Sequence, residues 1–135
     1  SSAIVRNKRE KIINEFNLNK VVDFFGYQLS GGERRRCEIA RALSVGRKGP
    51  KYLLLDEPFA GIDPLAVNDL KKLIIKLSKN GMGILITDHN VRETLLITNK
   101  SYVLSEGCIL AHGSSSELAN NKIVKKFYLG YDFQL

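Results

Sequence analysis

The 135 residues include no tryptophan, one methionine (Met82), two cysteines and two histidines. Cys37 and Cys108 have no metal-ligand spacing and are too few for a disulfide framework. They are expected to be free thiols in a reducing compartment, serving packing rather than redox chemistry. No unbroken apolar run exceeds the four residues of Tyr52-Leu53-Leu54-Leu55, which excludes a membrane-spanning helix. The N-terminal stretch is polar and basic, without the apolar core of a signal peptide, so a cytosolic chain is expected. Internal repeats and low-complexity tracts are absent. So is the phosphate-binding pattern G-x-x-x-x-G-K-[ST].

What is present is ordinary globular composition, 44% hydrophobic and 26% charged, in one domain's worth of chain. Twenty-one Lys and Arg against fourteen Asp and Glu leave a net charge of +7. An anionic partner fits that balance: nucleic acid, nucleotide or lipid headgroup. Most of the basic residues are scattered, and only Arg34-Arg35-Arg36 forms a compact block. That block is expected to be a solvated helix face rather than a contact for acidic protein or lipid.

The patterning alternates helix and strand. Residues 4–16 carry Ile12, Ile13 and Phe16 at helical spacing, with Asn17 as the stop. Val21 to Phe25 read as a short helical or irregular apolar stretch, ended by Gly26. Ser30 and Glu33 have the spacing of a capping box, and Ile39, Ala40 and Leu43 form the stripe of the helix that follows. Leu53-Leu54-Leu55 and Ile84-Leu85-Ile86 read as buried strands of a parallel sheet. Between them Asp63-Pro64 starts a helix, Val67, Leu70, Leu73, Ile74 and Leu77 trace its face, and Gly81 closes it. Asn90 begins a further helix, with Val91, Thr94 and Leu95 inward. Glu106-Gly107 joins a hairpin, and Ser116 caps a short helix. Val124, Phe127, Tyr128 and Leu129 form a terminal apolar face, and residues 127–135 are expected to fold back on the domain. The class is α/β, with a parallel core, a small antiparallel hairpin and C-terminal helices.

Three features carry chemistry. Asp56-Glu57 ends a strand, where open α/β sheets bind ligands. One carboxylate there can hold Mg²⁺ through water, while the next orients or deprotonates an attacking water. Ser30-Gly31-Gly32 opens a helix and exposes backbone N–H groups to an anion, such as a terminal phosphate. His89 follows the second strand and can bond a phosphate oxygen. Alone, these features more readily describe two solvated acids, a capped turn and a loop histidine; their order along one chain is more specific.

In that order they resemble the ATP-binding-cassette ATPases. Leu29-Ser30-Gly31-Gly32-Glu33 is similar to the family's signature motif, although the family usually ends it in Gln. Tyr52-Leu53-Leu54-Leu55-Asp56-Glu57 resembles Walker B with the catalytic glutamate, Ala60-Gly61-Ile62-Asp63 the D-loop, and His89 the switch histidine. Within the family, Glu33-Arg34-Arg35-Arg36, Asp56-Glu57-Pro58-Phe59-Ala60-Gly61-Ile62-Asp63-Pro64, the stretch from Asp88 to Thr94 and the ending from Tyr128 to Leu135 look like the lipopolysaccharide-export ATPases. Branched-chain amino-acid transporter ATPases share the Tyr-Leu-Gly ending and fit the Asp88-His89-Asn90 stretch less well. The loop over residues 44–51 is longer than the family's pattern.

The resemblance implies a partial P-loop NTPase fold. Residues 1–48 would be part of the helical subdomain, and residues 49–135 the C-terminal part of the RecA-like core. It implies ATP and Mg²⁺, with Asp56 at the metal, Glu57 and His89 catalytic, and Ser30, Gly31, Gly32, Glu33 and Asp63 toward ATP of the opposite subunit of a homodimer. It further implies membrane permease subunits as partners, peripheral attachment to the cytoplasmic face of the inner membrane, and no nucleic acid. The phosphate-binding loop and the Q-loop would precede these residues, so the chain alone is expected to lack ATPase activity. A DNA-acting relative and a non-catalytic docking half-cassette are the alternatives.

Overall fold

The computed structural model describes residues 2–46, 48–130 and 132, with the side chain of Ser2 excepted. The chain forms two compact units, one ending at Thr87 and the other beginning at Asp88.

The first unit begins with α1, Ser2–Glu15, and two single turns of 3-10 helix, Asn19–Val21 and Gly26–Gln28. Asn17 ends α1 in the left-handed conformation, and Phe16 and Leu18 on either side of it are buried. Helix α2, Gly31–Leu43, follows. Just past its end the Lys8 ammonium donates to the carbonyls of the C-cap Ser44 (3.0 Å) and of Gly46 (2.6 Å), a positive charge that suits the negative helix end. Strand β1, Tyr52–Asp56, leads to α3, Pro64–Lys79, and then to β2, Gly83–Thr87. Val67, Leu70, Leu73, Ile74 and Leu77 are buried along one face of α3, as their spacing requires. Gly81 follows at φ 88°, a left-handed end that glycine adopts without a Cβ clash.

Strands β1 and β2 pair in parallel, with Leu53 beside Ile84, Leu54 beside Leu85 and Asp56 beside Thr87. Side chains alternate between sheet faces, so the leucine runs divide. Leu53 is buried, whereas Leu54 is 73% and Leu85 61% exposed. The expectation of fully buried strands is therefore not met: one face is open, and on the other Leu53 is buried while Leu55, Ile84 and Ile86 are half-buried. On the open face the Tyr52 ring lies over Gly83, so closely that a Cβ there would sit 2.4 Å from a ring carbon.

The second unit is smaller. Helix α4, Val91–Leu95, precedes the antiparallel hairpin β3, Ser101–Ser105, and β4, Cys108–Gly113. Glu106 and Gly107 both have positive φ, 50° and 77°, as a tight two-residue hairpin turn demands. Helices α5, Ser115–Asn120, and α6, Lys122–Val124, end in a wide turn over Lys125–Leu129. Leu95, Val103, Leu118, Ala119, Val124 and Leu129 form one core. Arg92 closes it by donating to the Leu129 carbonyl.

Three local expectations change. The cap of α5 is Ser114, not Ser116, because Glu117 three residues on completes its capping box. Cys37 and Cys108 are free but exposed, so neither is a packing residue. Phe127 is exposed while Val124 and Leu129 are buried. The rest of the ending expected to fold back, Tyr131 and residues 133–135, lies outside the described residues.

Candidate functional site

Two constructions in the first unit carry the candidate residues. One is the start of α2. Ser30 is extended and caps the helix: its hydroxyl oxygen accepts from the Glu33 N–H (3.3 Å). The Glu33 carboxylate accepts in return from the Ser30 N–H and hydroxyl, both at 2.8 Å. These bonds hold the Glu33 carboxyl below its ordinary value of 4.5; the backbone bond is the larger cause, the hydroxyl next. Gly31 and Gly32 put no side chain on the first turn, and Gly32 is buried. A Cβ on Gly31 would lie 3.0 Å from the Gly61 carbonyl and from Ile62 Cγ2, and one on Gly32 only 2.6 Å from Ala66 Cβ. Gly32 is thus required by the close approach of α3's start, and Gly31 is closely packed against the loop before it. Asp63 caps that start, its Oδ1 accepting from the Ala66 N–H at 2.9 Å.

The other construction is the end of β1. Asp56 completes the strand, and the Thr87 hydroxyl on the neighbouring strand donates to its Oδ1. Glu57 then turns to φ 44°, a left-handed conformation that costs a non-glycine residue about 1–3 kcal/mol and clusters at functional sites. Its N–H donates to the Thr87 carbonyl at 2.7 Å, and its own carbonyl accepts from the Ala60 N–H at 3.2 Å. The buried Pro58 and Phe59 anchor the turn that follows. Arg35 of α2 reaches the same turn, its Nη2 donating to the Glu57 carbonyl at 3.2 Å. A shallow groove of about 140 Å³ lies there, lined by Arg35, Glu38, Ile39, Leu54, Asp56 and Pro58 among others.

The signature-like residues and the loop before Asp63 are therefore brought together, and Asp56 and Glu57 share their end of the sheet with Thr87. His89 belongs to the second unit, with a side chain 71% exposed and Nδ1 3.8 Å from the Asp88 carboxylate. Among the described residues, no group of three His, Cys, Asp or Glu could hold a metal by itself. Asp56 fits Mg²⁺ of the kind held by one carboxylate together with water and phosphate oxygens.

An ABC transporter family model matches residues 4–60. The lipopolysaccharide export system ATP-binding protein LptB of Haemophilus influenzae is 51% identical over 130 residues, 96% of this chain and 53% of the relative. LptB of Escherichia coli K12 is 49% identical over 129 residues, 96% of this chain and 52% of the relative. Among solved structures, the ADP conformation of an ATP-binding cassette of an ABC transporter superposes with a TM-score of 0.79 at 29% identity, over 93% of this chain and 50% of that one. The chain belongs to the ATP-binding-cassette ATPases. It spans about half the length of the curated relatives it matches. A second cassette, cbiO1 of Clostridium perfringens, part of the transporter complex cbiONQ, superposes with a TM-score of 0.77 at 28% identity, over 97% of this chain and 52% of that one.

Within this cassette fold, the residue that sequence reasoning passed over is Arg35. The arginine block was expected to be a solvated face, yet Arg35 is only 28% exposed and bonded to Glu38 and Glu57, and Arg36 is half-buried. The local signal was the Arg35–Glu38 spacing of one helical turn, an ion pair of 2.8 Å.

Proposed function

We propose that these residues are the C-terminal part of an ATP-binding subunit that couples ATP hydrolysis to lipopolysaccharide export. Residues 1–48 would contribute to its helical subdomain, and residues 49–135 to its core. The observation that carries the catalytic reading is the end of β1, where Asp56 is oriented by Thr87 and Glu57 is held in a left-handed turn. The identity to LptB supports the substrate class.

Asp56 would hold Mg²⁺ jointly with phosphate oxygens; the ion, when bound, neutralises phosphate charge. Glu57 would accept a hydrogen bond from the attacking water and draw its proton away. His89 would donate to a phosphate oxygen. The α2 start would face ATP held by the opposite subunit of a homodimer. There the Gly31 and Gly32 N–H groups and the Ser30 hydroxyl would meet phosphate, and the positive end of the 13-residue helix favours that charge. Glu33 would keep Ser30 in its cap, and Asp63 would fix the loop on which the glycines rest. Closure on ATP and reopening after hydrolysis would drive permease subunits resembling LptF and LptG, at the cytoplasmic face of the inner membrane.

The test is ATP turnover of the full-length polypeptide. Glu57→Gln is expected to lower it by about 100-fold or more, the scale of a general base. Residues 1–135 alone, without a phosphate-binding loop, are expected to show no turnover above that variant. Unchanged turnover in full-length Glu57→Gln contradicts the catalytic reading. For the substrate class, the full-length gene is expected to restore growth to LptB-depleted cells and the Glu57→Gln gene to fail; failure of both removes the export assignment.

A further inference from the structure

The conformation of Glu57 needs holding at both ends. A positive φ in a residue with a side chain lies above alternatives that the backbone reaches by rotating one peptide. The N–H side is tied to the Thr87 carbonyl at 2.7 Å. The carbonyl side has two donors, the Ala60 N–H within the turn itself and the Arg35 guanidinium from a different element. On the carbonyl side, the arginine ties the turn to a different element.

Arg35 is built for this. Nη1 donates to Glu38 Oε2 at 2.8 Å, one helical turn along α2, while Nη2 reaches the Glu57 carbonyl at 3.2 Å. A planar guanidinium anchored at one nitrogen has the other aimed, which a lysine ammonium on a flexible stem does not reproduce. The first turn of the same helix carries Ser30, Gly31 and Gly32.

We infer that Arg35 is a positioning residue for Glu57, fixing the backbone that aims its carboxylate, with Glu38 holding the guanidinium in place. The inference rests on Glu57 being the water-polarising group proposed above. The side-chain bonds of Arg35 run to Glu38 and to the Glu57 carbonyl, so its loss is expected to act on the chemical step and to leave nucleotide binding alone.

The experiment is steady-state ATP hydrolysis by the full-length protein carrying Arg35→Met. A slightly misaimed base costs rate steeply, so kcat is expected to fall about tenfold or more with KM for ATP within about twofold. Arg35→Lys should lie between wild type and Arg35→Met. Adding Arg35→Met to Glu57→Gln should cost no further turnover, since the carboxylate it aims is already gone. Exposed Arg34→Met should match wild type. Where Arg35→Met lowers the thermal midpoint, Glu38→Ala keeps the guanidinium and removes its anchor; a smaller fall in kcat at unchanged KM is then expected. Wild-type kcat in Arg35→Met, a rise in KM alone, or the same fold loss in the Glu57→Gln background overturns the inference. If Glu57→Gln itself turns over like wild type, the catalytic reading of Glu57 fails first. If Glu57→Gln is inactive and Arg35→Met is not impaired, only the positioning role fails.

Discussion

Two helix starts in this chain, one in each unit, have the same cap and differ in the residues that follow it. Ser30 and Ser114 take the same extended backbone, φ −60° and −67°, and each forms a capping box with the glutamate three residues on. The bonds match: hydroxyl to carboxylate 2.8 Å in both, backbone N–H to carboxylate 2.8 and 2.7 Å, glutamate N–H to serine oxygen 3.3 Å in both. Both carboxyls are lowered, by the serine N–H first and the hydroxyl second. The difference lies between cap and glutamate. Gly31 and Gly32 stand in the first helix, Ser115 and Ser116 in the second. Capping chemistry thus terminates a helix wherever it occurs. The glycine pair lets Gly61, Ile62 and Ala66 approach the first turn closely.

The comparison breaks most visibly at the glycines. Gly32→Val places methyl groups against Ala66 and is expected to lower stability by about 2 kcal/mol, the scale of overpacking. Ser116→Val, at an exposed position, should stay within about 0.5 kcal/mol. Urea unfolding of the full-length protein measures both, and equal losses would show that the glycines are not packed as described. Next in size come the caps, since Ser30→Ala and Ser114→Ala should each cost about 1 kcal/mol. The smallest effect is in acid. A carboxyl lowered in the folded state adds stability above its ordinary value of 4.5 and loses it as pH falls through the folded value. Glu33→Gln and Glu117→Gln should therefore be less stable than wild type at neutral pH, with the gap closing as pH drops below 4.5. A gap that widens in acid would reverse the sign assigned to both pairs.

Much of this was legible in the sequence because it is local. The Ser30–Glu33 box, the Asp63-Pro64 start and the α3 stripe are set by residues three or four apart, and the structure builds each as its spacing requires. Ser114 was legible by the same rule, but the serine run from 114 to 116 offers three caps and only the glutamate at 117 selects among them. What escaped depends on distant partners. The leucines of β1 are alike in sequence, and which of them is covered is decided by the helices on one face of the sheet. Arg35 looked like part of a solvated block because its acceptor is a backbone carbonyl 22 positions away, and side-chain pattern carries no mark of that.

On the proposed function, the α2 start would complete an ATP site on another copy of the subunit while Glu57 would perform the chemistry. Sedimentation of the full-length Glu57→Gln protein with and without Mg-ATP tests it most directly. An ATP-dependent dimer is expected, and it should be lost on adding Ser30→Asp, which keeps a helix cap but sets a negative charge against phosphate. A protein that stays monomeric at saturating Mg-ATP, or a dimer indifferent to Ser30→Asp, would contradict it.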